Sequence, residues 1–194
     1  MRTLKTIGIL LLFFGSSIVP LTSAATINTE TDLFVKNSQQ ATLNVYSLLI
    51  LTPQIFKDEL QPLVRHKNSH GLSTKLVTLP EVYHQMYWYG RDNAEKIKYF
   101  IKTAMEEWGI RYVLLVGGRS SQFLPTWYCP VRYVSMVDDW DVGYLSDLYF
   151  ADIYDADGNF STWDSDNDGL FGEWYIGETA QDVDIDLIPD VAVG

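Results

Sequence analysis

The sequence predicts an α/β fold: a mostly parallel sheet flanked by helices, with a β-hairpin and an acidic loop inserted late in the chain. Three observations carry this. Residues 92–108 have a helical period and lead into the apolar run Tyr112–Val116, which Gly117 and Gly118 end. Such a run, rich in valine and leucine, reads as a strand covered on both faces, as in a parallel sheet. Earlier in the chain, strand-length apolar runs alternate with helical ones in the order β-α-β-α-α-β, the pattern of parallel strands joined by crossover helices. After Gly118 the period changes, and Asp157-Gly158 sits between two aromatic runs, which is a hairpin signal.

Taken in order, residues 1–25 read as a secretory signal. Arg2 and Lys5 supply the positive start, Ile7–Phe14 the apolar centre and Ser23-Ala24-Ala25 the cleavage site. The centre is short for a membrane span and is followed by Gly15, Ser16 and Ser17. Residues 26–44 are polar and without period, a tail or the end of a pro-segment. Residues 44–51 form the first strand. Thr52-Pro53 is a helix start, with proline at the first helical position. The helix that follows contains Pro62, which should kink it or split it in two, and stops near Gly71. Thr74–Thr78 is a second strand and Leu79–Met86 a short helix. Asp92 then caps the long helix, with Glu95 three residues on as a capping box requires. Ile97, Phe100, Ile101, Ala104, Met105 and Trp108 form its apolar stripe, and Gly109 its left-handed end. Residues 119–130 read as a loop and Val131–Met136 as a strand. Leu148–Tyr154 and Phe160–Trp163 are the arms of the expected hairpin. Ile185–Gly194 reads as an acidic approach to a buried strand, so the chain is expected to be the front portion of something longer.

Charge narrows function. The formal balance over 194 residues is −11, which argues against nucleic acid and anionic membrane surfaces as partners. No lysine or arginine follows Arg132, while aspartates crowd the segment after it. Either this is a solvated acidic surface, or some of the carboxylates hold a cation, because like charges this dense repel. Within it lies Asp164-Ser165-Asp166-Asn167-Asp168-Gly169. Carboxylates at positions 1, 3 and 5 converge on one hard cation, Gly169 permits the sharp turn, and the Leu170 carbonyl falls at position 7. Position 12 is Tyr175 and the nearest acid is Glu173 at position 10, so this is not an EF-hand. The expected ligands are Asp164, Asp166, Asp168, Leu170 and Glu173, and the expected cofactor is a structural calcium ion; an acidic turn without metal is the competing reading.

Cys129 is the only cysteine, so no disulfide forms within the chain. It precedes Pro130 in an aromatic loop with no basic cluster beside it, which favours a packed thiol over a nucleophile. His66 and His70 are four residues apart, but no HExxH accompanies them, and a solvated helix end is the better reading. Gly117-Gly118 lacks the GxGxxG pattern of a nucleotide site.

The segments LTPQIFKDELQPLVRHKNSHGLSTKLVTL, GRDNAEKIKYFIKTAMEEWGIRYVLLVGG, PVRYV, SDLYFAD and PDVAVG, in that order and spacing, resemble the N-terminal part of the gingipain-type cysteine peptidase domain, over residues 45–194. The resemblance implies a caspase-like fold of two successive subdomains, each a mostly parallel sheet between helices. It implies endopeptidase activity by a Cys-His dyad in secreted or cell-surface proteins, often with bound calcium. In that family the dyad lies in the second subdomain, so no catalytic residue carries over, and Cys129 does not sit at the nucleophile position. The Asp164–Glu173 loop resembles the family's Asp-rich segment. The expected partner is a protein or peptide substrate reached through a downstream catalytic subdomain, across a cleft at the strand ends near Thr52 and Gly117. The alternative is a secreted, non-enzymatic, calcium-stabilised binding or adhesion module with the same fold. A third reading, a self-contained hydrolase using Cys129, requires an activity that disappears in Cys129→Ala.

Overall fold

A computed structural model describes residues 45–124, 126–137, 142–175 and 181–194. The expected signal peptide and polar tail, residues 1–44, lie outside the described residues. Strand β1 (Leu48–Thr52) is followed by a 3-10 turn at Gln54–Phe56 and helix α1 (Gln61–Ser69). Next come β2 (Thr74–Thr78), α2 (Leu79–Gln85), α3 (Asn93–Trp108) and β3 (Tyr112–Leu115). The second half holds β4 (Tyr133–Val137), β5 (Val142–Leu145), α4 (Leu148–Ala151), β6 (Trp174–Tyr175) and β7 (Ala192–Val193).

Four strands make one sheet in the order β2-β1-β3-β7, every pair parallel. The expected α/β architecture is thus present. Its centre is β1, with all five residues buried. Leu48–Thr52 pair in register with Thr74–Thr78 on one side, and Leu48–Leu51 with Tyr112–Leu115 on the other. Strand β3, expected to be covered on both faces, has only Val113 fully buried, and Tyr112 is exposed. The final strand is shorter than its apolar run, and its Ala192 is exposed.

Local chemistry explains the helices. Pro62 does split the expected helix: the chain makes the 3-10 turn, then restarts as α1 with the proline in its first turn, where its missing N–H costs nothing. In α2, the Thr78 N–H and hydroxyl both donate to Glu81 Oε2, each at 2.7 Å. In α3, the Glu95 N–H donates to Asp92 Oδ1 at 2.8 Å, and Gly109 ends the helix at φ 72°. The reciprocal half of the expected capping box is redirected. The Glu95 carboxylate accepts from the Arg91 N–H and guanidinium instead of the Asp92 N–H. The expected stripe of α3 packs inward, but the helix also buries Glu95 and Lys98, because a second layer covers that side.

That layer departs from the expected hairpin. Residues 148–151 are helical, and the Asp157-Gly158 turn closes only an isolated antiparallel bridge, Tyr154 to Phe160. Asp155 Oδ1 accepts the N–H groups of Asp157 and Asn159, an Asx turn that satisfies the loop locally. The antiparallel pairing lies between β4 and β5, and β6 joins β4 in parallel to make a second sheet, β5-β4-β6. Between the sheets, Tyr149, Phe150, Trp163 and Phe171 join the residues of β1 and α3 in one core.

Candidate functional site

Ligand sites in parallel sheets form outside the carboxyl ends of the strands. Here β1 ends at Thr52, β3 at Leu115, two residues before Gly117, and β7 at Val193, one residue before Gly194. The Leu115 N–H donates to the Gly194 carbonyl at 2.8 Å, and the Val116 N–H to the Leu51 carbonyl at 2.8 Å. Beside these ends is a cavity of about 190 Å³, lined by Leu115, Gly117, Trp127, Cys129, Asp147 and Gly194 among others. Gly117 has φ 140°, and a Cβ there would lie 2.8 Å from the Cys129 N. A glycine is therefore what lets the 127–131 segment close over the sheet edge.

Cys129 is buried in the wall of this cavity. Burial, with the nearby Asp147 carboxylate, pushes its thiol up to about 11. A nucleophilic cysteine needs the opposite environment. His66 and His70 stack on each other at the exposed end of α1, with His70 Nδ1 2.8 Å from the His66 carbonyl. Among the described residues, no imidazole hydrogen-bonds to Cys129.

The acidic loop is one contiguous segment, and Arg91 reaches it from the first half of the chain. Asp164, Asp166 and Asp168 each bring one carboxylate oxygen within 4.8 Å of the others. Asn167 at φ 62° and Gly169 at φ 91° make the bend. Asp164 is wholly buried; its carboxylate accepts from Arg91 and from the N–H groups of Asp168 and Gly169. Leu170 is exposed, and Glu173 is buried and outside this convergent group. The donors are all hard oxygens, the class that calcium prefers.

Other acids of the tail serve as acceptors for backbone N–H groups. Asp182 accepts from Ser165 at 2.6 Å and Glu173 at 2.9 Å. Asp184 accepts from Thr162 at 2.6 Å, and Asp190 from Ile153 at 2.7 Å and Tyr154 at 2.9 Å. Residues 182–190 thereby tie irregular loops down as a strap. The alternation of Asp182, Asp184 and Asp186 was the available signal; it reads as charge when the loops it faces are unknown. Arg132 makes a two-pronged pair with Asp92, 2.9 Å on each arm. The Phe171 ring lies 3.6 Å from the Arg132 guanidinium and 4.9 Å from that of Arg91. The hydrogen bonds that Arg91 donates to Glu95, then the nearby carboxylates, outweigh burial and hold the Arg91 charge firmly on.

A second groove, about 310 Å³, lies between β4, β5 and the strap, walled by Tyr144, Leu145, Leu148, Trp163 and Trp174. Its carboxylates are Glu173 and Asp182, and Asp182 is engaged with backbone N–H groups.

An all-parallel sheet with covering helices and a small cavity at its carboxyl edge defines an α/β domain of the kind that hosts a site at the strand ends. The chain belongs to peptidase family C25, the gingipain family, whose family model matches residues 41–194. Membership places it among cysteine peptidases, whose substrates are proteins. No curated protein and no solved structure matches the chain. Among the described residues no helix is long and apolar enough to cross a membrane.

Proposed function

We propose that residues 45–194 form the N-terminal part of a secreted gingipain-like cysteine endopeptidase, and that the Cys-His dyad belongs to a downstream catalytic subdomain. The observation that carries this is Cys129. The family's chemistry requires a thiolate, and the only thiol here is buried, raised and without an imidazole partner among the described residues. The role of this part is to pack against the catalytic subdomain and shape the substrate cleft at the ends of β1, β3 and β7. The reaction served is thiolate attack on a peptide carbonyl, formation of an acyl-enzyme and its hydrolysis.

The test is hydrolysis of casein and fluorogenic peptides by this chain and by a longer product of the same gene. The chain alone should be inactive, and the longer protein should cleave with a rate unchanged by Cys129→Ala. Activity of the short chain that vanishes in Cys129→Ala would overturn the assignment. A longer protein with no thiol–imidazole pair and no hydrolysis would establish the non-enzymatic binding module instead.

We also propose that Asp164, Asp166, Asp168 and the Leu170 carbonyl hold a structural calcium ion. The reading rests on the convergence of three carboxylates on a sharp turn; the ion would share the Asp164 carboxylate with Arg91, which competes for it. At calcium one hundred times its dissociation constant, stabilisation is about 2.7 kcal/mol. For a chain of this size that is a rise in Tm of about 5–10 °C, reversed by a chelator. No heat of binding in calorimetry and no change in Tm would refute it.

A further inference from the structure

Helix α3 turns a lysine into the core. Lys98 is wholly buried, and its Nζ lies 4.4 Å from the Tyr149 ring centroid, 5.5 Å from Phe160 and 5.6 Å from Trp163. Among the described residues this ammonium has no hydrogen-bond partner and no ion pair. Other buried atoms in that condition include Asp152 Oδ1 at the end of α4, Asp184 Oδ1 in the strap, and Ser161 Oγ, on the residue that follows Phe160. Two of these residues are held by their other oxygen. Asp152 Oδ2 accepts the Trp163 indole N–H at 3.1 Å, and Asp184 Oδ2 accepts from Thr162 N–H and hydroxyl. Burial presses the ammonium toward its neutral form, while Asp152, Asp184 and Glu95 favour the charge and Arg132 opposes it.

Opposite charges that attract one another, yet stand too far apart to touch, ask for something between them. A metal cation is disfavoured by the ammonium, and an anion by the two carboxylates. A neutral molecule that both donates and accepts fits all four groups. Internal water is bound in this way, by two to four polar partners that the protein leaves otherwise unsatisfied.

We propose that Lys98, Asp152, Asp184 and Ser161 enclose a permanent internal hydration site, in which water bridges the ammonium to both carboxylates and the hydroxyl. The site joins four segments that are distant in sequence: α3, the end of α4, the segment after the Asp157-Gly158 turn, and the strap.

A crystal structure of the chain at atomic resolution should show ordered water about 2.7–3.2 Å from Lys98 Nζ and from at least one of the two carboxylates. In solution, oxygen-17 relaxation dispersion should lose at least one long-lived water in Lys98→Met, with circular dichroism confirming that the variant is folded. Ser161→Ala removes one partner without removing charge, so it should shorten the residence time; it serves if Lys98→Met does not fold. A dry site in the density, an ammonium paired directly with a carboxylate, or equal dispersion in the folded variants and the parent would overturn the proposal.

Discussion

Asp92 performs two tasks with one carboxylate. It caps α3 through the Glu95 N–H and it neutralises Arg132, which is only 7% exposed. Asp92→Ala should therefore cost about 1–2 kcal/mol for the cap, and more for leaving Arg132 without its carboxylate; urea denaturation measures it. Asp92→Asn, which keeps a capping oxygen, should cost less. Burial works to raise the pKa of Asp92, but Arg132 and the Glu95 N–H outweigh it and hold the carboxyl below its ordinary 3.8. Its stabilisation is thus complete above the unfolded value and is lost as pH falls through the folded one. The urea midpoint of the parent should drop more steeply below about pH 4 than that of Asp92→Ala. Equal slopes would show that the pair does not control acid stability. The N-cap was legible from Asp92 and Glu95 alone. The pair with Arg132 was not, because forty residues separate the two.

At the scale of elements, the core is centred one strand away from where its most conspicuous run lies. Residues 112–116 read as the doubly covered strand, yet β1 lies between β2 and β3 and is buried throughout. Ile50→Ala should cost about 2–5 kcal/mol by the usual scale for buried aliphatic truncation. Leu114→Ala, at its half-buried partner position, should cost distinctly less. Comparable losses from equilibrium unfolding would return the centre to β3. Strand β2 was legible to the residue, and α3 nearly so, because cap, period and terminal glycine agree. The arms of the expected hairpin were misread. Leu148–Tyr154 is apolar and aromatic, but its first four residues wind into α4 because Tyr149, Phe150 and Ala151 all turn into the core. Local β-propensity yields to such packing.

On the scale of the molecule, the chain separates its charges along the sequence and recombines them in space. Arg91, Lys98 and Arg132 precede the acidic tail, and the fold returns Asp164 to Arg91 across 73 residues. Native-state hydrogen exchange should find the amides of β1 and β3 slowest, since both lie inside the four-stranded sheet, with those of β6 faster. Slowest exchange in the second sheet would mean that the strap and its loops, not the parallel sheet, are the last structure to open. The sequence by itself determined the parallel α/β plan, the capped helix α3, the packed position of Cys129 and the convergence of Asp164, Asp166 and Asp168. The plan rests on the order of elements along the chain, and the other three on neighbours within one turn or one loop, where spacing dictates geometry. Only the tertiary structure decided that β1 is central, that Lys98 is buried among aromatic rings, and that the tail's aspartates bind backbone N–H groups. Those outcomes depend on which distant segment covers each face, and burial, unlike helical period, is a property of the partner as much as of the residue.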